Sequence, residues 1–591
     1  MIGAIGFTLI KYGTPEQHQR ADSALDAALS HFPDIHRHSV KIGDSTLVLW
    51  GREGLEGCTH TLPDGSLLAL IGSPIGKTSW TEVENTFIIV KAPEDFRLPW
   101  DGRVILLHIS SDGADWTIWN DWLGSIPVFY ANFPHWRTAS TLEPVVVASA
   151  QLTVEDIFLP GLLLLLSHGN YLADWTLFKN MHTVSPDSVT RFCEHGYKTV
   201  ACHTVEATDA RWERGWEELL EEMHTLVKNA ISQTLNTQSK WIVPLSGGLD
   251  SRLIAAVGAE MGVEIDTYTW GPPDTMDGTC ARQIAHALHL PWQRIDLGDD
   301  YLTRCLPLWV DLFGSSMHFH GMYQIPFLET LRAVAPAPIV SGFIGECLAG
   351  YDVRFQVEHH QISKRSYLSH PSYFMVWEVD NLRKLFRIPI DQALEEIADV
   401  IERMKNVATG PWFQRLRFLT LWGRQNHFAY FQSMLSDYYF GVATPYMKRE
   451  YARFCLSLPR AMLDERRLQI DMMRRYYANV MTLGGTYARE PAIVTGRYLL
   501  KRRLANLLPS TFVPRLLPAI ARVKKGKTDV TSLRSCGEEA LWPIPDTRTL
   551  LAEWIHLEPL DQTYADALAG DMLSVRKLQS LQAFAYRLRG Q

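Results

Sequence analysis

With 591 residues, 46% of them hydrophobic, the chain is long enough for two or more domains with sizeable cores, and its composition excludes a disordered protein. A net charge of −8 and a pI near 6.2 argue against a general nucleic-acid binder. The eight cysteines are scattered without a Cys-x-x-Cys pair, which gives no zinc or redox motif and fits reduced thiols in a cytoplasmic protein.

In chain order, the opening "MIGAIGFTLIKYG" lacks a basic region, and its apolar part is too short for a signal peptide. Short strands follow. "RVILLHIS", the turn Ser111-Asp112-Gly113-Ala114 and "DWTIWND" predict a hairpin with alternating apolar positions. "IFLPGLLLLLSHG", from Ile157, is broken by Pro160 and Gly161 and is too short to span a bilayer, so it reads as a buried helix. From Trp212 to Leu235 apolar residues recur at helical spacing and open a second domain, with the boundary near 205. Beyond it the pattern alternates: strand 241–245, helix from 251, strand "IDTYTW", helix near Thr279–Leu288, strand "QRIDL", a helical stretch and strand "PIVSG". That order predicts a parallel sheet with ligands at the carboxyl ends of its strands. After about residue 370 the pattern is mostly helical, as in "LRFLTLWGRQNHFAYFQSML". The basic run from Arg497 to Lys527 reads as a solvated helical face, with docking of a peptide or partner protein as a minor alternative.

The first chemical motif lies where strand 241–245 ends, in Leu245-Ser246-Gly247-Gly248-Leu249-Asp250-Ser251. Glycines at a helix N-terminus let backbone amides approach an anion, and such a turn suits phosphate. The usual phosphate loop carries a lysine, and here none follows. A carboxylate beside a polyphosphate needs a cation between them, so Asp250 is read as a Mg²⁺ ligand; a capped Gly-Gly turn is the plainer alternative. A second Gly-rich turn, "IVSGFIGECLAGYD", carries Ser341, Gly342 and Glu346. If its strand neighbours the first, Glu346 can share the cation with Asp250.

Together the two loops resemble the synthetase half of the glutamine-dependent asparagine synthetase family, whose pyrophosphate loop is Ser-Gly-Gly-x-Asp-Ser and whose later loop has Ser-Gly followed by an acid before a glycine. Glu346 stands where the family has Asp, in a loop one residue shorter. "TYTWGPPD" is similar to the family's adenine-side segment and places Trp270 near the base. "NDWLGSIPVFY" and "YLADWTLFKNMHTVSPDSV" extend the resemblance into the first half. The resemblance implies an α/β protein with ATP and Mg²⁺ as cofactors. Over 1–205 it implies a degenerate class II glutamine amidotransferase-like domain, a glutaminase-like (Ntn-type), β-rich αββα fold. Over 206–591 it implies an asparagine synthetase-like ATP-pyrophosphatase domain, an adenine nucleotide alpha-hydrolase-like parallel α/β fold with a helical C-terminal part.

The departures bear on the substrate. Glutamine-hydrolysing members use a cysteine at residue 2, where this chain has Ile2, and Gly72-Ser73-Pro74 stands in place of their glutamine-holding segment. Loss of the glutaminase leaves an adenylating domain that needs another amine, one attached to the substrate itself. "GFIGECLAG", the length and the missing cysteine resemble the lasso-peptide cyclases (macrolactam synthetases). Those enzymes join a peptide's α-amine to an Asp or Glu side chain. Phe343 stands where β-lactam synthetases have a tyrosine, and a peptide α-amine of pKa about 7.7–8.0 needs less help to lose its proton. The family's late lysine falls at Pro491 in "AREPAIVTGR", with Arg489, Arg497 or Lys501 as substitutes. His318 and His320, on one face if extended, are candidates for the acceptor-peptide cleft. The expected partners are a precursor core peptide, a leader peptidase and a leader-recognition protein, with no nucleic acid and no membrane. A small-substrate amide ligase and an inactive nucleotide-binding scaffold stay open as alternatives.

Overall fold

A computed structural model describes residues 3–350, 376–491 and 546–589, apart from 77, 91, 93–94, 195, 274, 299, 335, 408–409, 486–487 and 570. The first half is two six-stranded sheets face to face. One runs in the order His182–Thr183, Phe129–Asn132, Arg137–Ser140, Gly6–Lys11, Ser45–Gly51, His36–Ile42. The other runs Gly196–Ala201, Ser188–Cys193, Trp116–Asn120, Asp101–Ile109, Leu67–Ile75, Thr59–Thr61. Alternation sets the layers: Phe7 and Leu9 meet Ala69, Ile71, Ile105 and Leu107 between the sheets. Leu68, Leu70, Val104 and Leu106 point outward, under the helix Trp80–Ile88 through Val83 and Phe87. Helices Pro15–Ser30 and Glu143–Ala150 cover the other outer face, completing the αββα sandwich anticipated from sequence. The predicted hairpin pairs as read, Ile109 opposite Trp116.

The second half is built on a five-stranded, wholly parallel sheet. Its order is Trp292–Ile295, Glu264–Trp270, Lys240–Pro244, Ile339–Val340, Val442–Ala443. Chain order reverses between Lys240–Pro244 and Ile339–Val340, so a crevice opens where both strands end, the usual ligand position in such sheets. One face of the sheet packs Trp241, Val243 and Leu245 under the helices Trp216–Leu235 and Leu249–Met261. The opposite face, with Ile242, Tyr268 and Ile339, belongs to the same apolar cluster as the outer helices of the sandwich. The two halves therefore share one core.

Two expectations shift. The helix starts at Trp216, four residues later than its apolar pattern, because Trp212 lies outside it and stacks on Phe413 with ring centroids 5.9 Å apart. The helix after the glycine turn starts at Leu249 rather than 251. The apolar stretch from Ile157 forms the helix Leu159–His168, buried from Pro160 onward. Among the described residues no helix is long and apolar enough to cross a membrane.

Candidate functional site at the switch point

Both glycine-rich loops leave the carboxyl ends of the two strands that flank the reversal. Leu245 extends its strand by donating its N–H to Tyr268 O at 2.8 Å, and Thr269 Oγ1 donates to Leu245 O at 2.7 Å. The chain then turns through Ser246 and Gly247 to Gly248, which caps the helix with no side chain of its own. The turn is braced internally. Ser246 N–H donates to Ser251 Oγ at 3.3 Å, Gly248 N–H to Ser246 Oγ at 3.1 Å, and Gly247 N–H to Asp277 Oδ1 at 3.0 Å. From beneath, the fully buried Arg252 ties Gly247 O (3.0 Å) to Val480 O (2.9 Å). Burial lowers its pKa to about 10, which leaves it charged at neutral pH.

Asp250 stands in the first helical turn, 9% exposed, and is the meeting point of the two loops. A Cβ built on Gly345 falls 2.8 Å from its Cγ, and one on Gly342 falls 3.1 Å from its Cβ. These glycines are therefore small because the second loop lies directly on the aspartate. Ser341 N–H reaches Ala443 O at 2.9 Å, and its Oγ accepts the Phe343 N–H at 3.3 Å. Ile344 then takes a left-handed φ of 59° to enter the short helix Gly345–Leu348, in whose first turn Glu346 lies exposed. Buried Arg417 holds that helix by donating to Cys347 O and Leu348 O, both at 2.7 Å.

Several partners at the site come from far along the chain and carry no motif. Tyr446 OH donates to Asp250 O at 3.0 Å. Arg466 and Gln469 both reach Asp250 Oδ1, at 2.6 and 3.0 Å. Asp277 had a weak signal, an acid in the first turn after Thr275, whose side chain caps that helix.

Trp270 ends the strand beside Lys240–Pro244, tilted against Phe327 and stacked near Tyr323 at centroid distances of 4.7 and 6.1 Å. Its indole N–H is buried with no hydrogen-bond partner among the described residues. His318 precedes a 3₁₀ turn, Phe319–Tyr323, that contains His320, so the extended backbone assumed for a shared face is not formed. His318 instead packs on Gly169 of the first half, where a Cβ would lie 2.6 Å from its Cδ2. Burial and then the charge of Arg576 bring its imidazole down to about 3. Among the described residues no three His, Cys, Asp or Glu side chains gather as a metal group. Arg489 lies in the strand Ala488–Pro491, paired with Gly484–Gly485, whereas Arg497 and Lys501 fall outside the described residues.

The model of the asparagine synthase family matches residues 222–589, more than half of the chain. No curated protein matches. Among solved structures the chain is similar to the allosteric regulatory enzyme of purine biosynthesis, at 10% identity and a TM-score of 0.24, over 49% of this chain and 80% of that one. It is also similar to glutamine phosphoribosylpyrophosphate amidotransferase from B. subtilis, at 12% identity and a TM-score of 0.23, over 59% of this chain and 77% of that one. Superpositions this loose carry no argument. The family match does: residues 222–589 carry the domain of an ATP-dependent, AMP-forming carbon–nitrogen ligase. The chain belongs to the asparagine synthase family.

Proposed function

We propose that the protein is a macrolactam synthetase of the lasso-peptide cyclase kind, which activates an Asp or Glu side chain of a core peptide with ATP and joins it to the peptide's own α-amine. The supporting observation is a switch-point site that brings Gly342 and Gly345 against Asp250, in a chain with Ile2 where glutamine-hydrolysing relatives have cysteine. No cysteine precedes Cys58 in the sequence. Burial raises the pKa of the Cys58 thiol and takes that of Cys202, with help from Asp187, to about 11, away from the thiolate a glutaminase needs. Gly72-Ser73-Pro74, aligned with the family's glutamine-holding segment, lies in the strand Leu67–Ile75 and pairs with residues 102–104, with Gly72 at a φ of 99°.

The residues present fit a Mg²⁺–nucleotide complex: a glycine cradle against Asp250, a helix N-terminus capped by glycine, and, at the end of the neighbouring strand, a buried Trp270 N–H with no hydrogen-bond partner among the described residues. Ser246, Gly247, Gly248, Leu249 and Ser251 would hold the phosphates, with Leu245, Ser341 and Gly342 lining the crevice. Asp250 and Glu346 would hold Mg²⁺, which when bound neutralises phosphate charge. The peptide carboxylate oxygen attacks the α-phosphorus, and the bond to the bridging oxygen breaks with pyrophosphate taking the electron pair. Amides at the helix N-terminus stabilise the charge that develops. The peptide nitrogen then adds to the acyl carbon, AMP leaves with its oxygen, and the amine proton passes to solvent. Arg489 is assigned to charge stabilisation in place of the family's lysine, and the segment bearing His318 and His320 to the acceptor side. Delivery of a free amine requires a leader peptidase and a leader-recognition protein, and we place the reaction in the cytoplasm.

Peptide-dependent AMP formation tests this reading. A core peptide with a free α-amine should give AMP and a cyclised product, and Asp250→Asn should abolish both. AMP formed with aspartate and ammonia but not with peptide would instead establish a small-substrate ligase.

A further inference from the structure

Asp250 is held by more than its own loop. Its Oδ1 accepts Arg466 Nη2 at 2.6 Å and Gln469 Nε2 at 3.0 Å, while Gln469 Oε1 accepts Arg466 Nε at 2.7 Å. The guanidinium is thus clamped between carboxylate and amide. The Arg466 and Asp250 side chains are each 12% exposed. Burial works against the guanidinium's charge, but Asp250 and then Glu346 outweigh it and raise the Arg466 pKa. The backbone that aims Arg466 inward is unusual. Glu465 (φ 56°, ψ 23°) and Arg466 (φ 59°, ψ 32°) are successive non-glycine residues in the left-handed region. L-residues keep that conformation only where their surroundings impose it, and such strain gathers at ligand clamps and switches.

We propose that Arg466 is a built-in counter-cation that competes with a free divalent cation for Asp250, so that the site takes up metal together with the nucleotide's phosphates and not before them. This rests on the reading of Asp250 and Glu346 as metal ligands. Two carboxylates and one guanidinium leave a single net negative charge, too little to draw a dication out of water. A dication on Asp250 would also sit beside a like charge in a site shielded from solvent, where repulsion is poorly screened. A bound triphosphate changes the sign of that balance by bringing several negative charges into the same crevice.

The test is Mn²⁺ binding to the full-length protein, read from the free-ion electron paramagnetic resonance signal, with and without an ATP analogue blocked at the α,β-bridge. Wild type should bind Mn²⁺ at least ten-fold more tightly with the analogue. Arg466→Gln should gain at least ten-fold in Mn²⁺ affinity without it, Arg466→Lys should gain little, and adding Asp250→Asn to Arg466→Gln should remove the gain. Equal wild-type affinity with and without the analogue would overturn the proposal, as would no gain in Arg466→Gln. Should Arg466→Gln fail to fold, Gln469→Leu, which frees one side of the clamp, should give a smaller gain, and its absence is equally decisive. Failure of Mn²⁺ to bind even with the analogue would remove Asp250 and Glu346 as metal ligands, and the proposal with them. Nucleotide-dependent binding without any Arg466 effect would remove only the role of Arg466.

Discussion

Gly345 has no side chain because Asp250 leaves no space for one, and the first prediction follows from that contact. In Gly345→Ala the new methyl group meets the carboxylate at 2.8 Å and turns it away from its place between the loops. The carboxylate is held by Arg466 and Gln469, and the methyl group also meets the buried Tyr446 ring at 3.0 Å, so we expect about a ten-fold loss of pyrophosphate release, roughly 1.4 kcal/mol of activation free energy, together with a lowered Tm. An unchanged rate would show that the position of the carboxylate does not matter. Asp250→Asn keeps the shape of Asp250 but removes the charge, and should lose activity more completely than Gly345→Ala. At this scale the sequence was most informative where residues are contiguous. Ser246, Gly247, Gly248, Asp250 and Ser251 form one turn at a strand end and helix start, a geometry that can be read from order alone. Arg466, Gln469 and Tyr446 reach the same aspartate from about 200 residues away, by contacts that no local pattern encodes.

Elements, rather than single groups, carry the join between the two halves. Arg103, on the strand Asp101–Ile109, is paired with Asp437 near the end of the helix Asn426–Tyr439, and both are buried. Arg52 adds bonds to Asp437 O (3.0 Å) and Tyr438 O (2.8 Å), and Trp50 Nε1 donates to Tyr438 OH at 2.9 Å. Removing one buried partner strands the other charge, so Arg103→Ala should cost about 3–5 kcal/mol in denaturant unfolding. The double replacement Arg103→Met with Asp437→Leu should recover most of that loss, and equal losses in the single and double variants would count against the pairing. Element types were legible from periodicity, as in the hairpin 101–120 and the parallel strands. Boundaries were not, because Trp212 keeps the helical spacing while its ring is used outside the helix. The shared face of His318 and His320 was conditional on an extended backbone, and two histidines at alternate positions do not reveal the 3₁₀ turn found there.

Among the described residues, the largest scale of packing is an apolar cluster that crosses from the sandwich into the parallel sheet. Three histidines in or near the interior give the protein a pH signature. Burial lowers the His168 imidazole to about 4 and that of His427 likewise, against an opposing bond to Tyr171, while His318 reaches about 3. Each folded value lies below the unfolded value of about 6.5. Their contribution is therefore complete above pH about 6.5 and is lost as pH falls toward 4, because the unfolded chain binds protons that the native protein refuses. Each ring should add about 1.4 kcal/mol per pH unit to the slope in that window. His168→Gln should flatten the fall in stability between pH 6.5 and 4.5 by that amount, and an unaltered slope would show that the ring is already charged in the native state.

The shared core also gives the first half a structural role: it supplies packing and buried ion pairs to the half that the asparagine synthase family matches. Whether the switch-point site closes a ring on a peptide is decided by the mass of the product. Purified protein with ATP, Mg²⁺ and a leader-free core peptide should give a peptide lighter by one water, resistant to amino-terminal labelling, with AMP formed in step and nothing in Asp250→Asn. AMP formation with the peptide mass unchanged, or turnover supported by ammonia and a free amino acid instead, would contradict the macrolactam assignment.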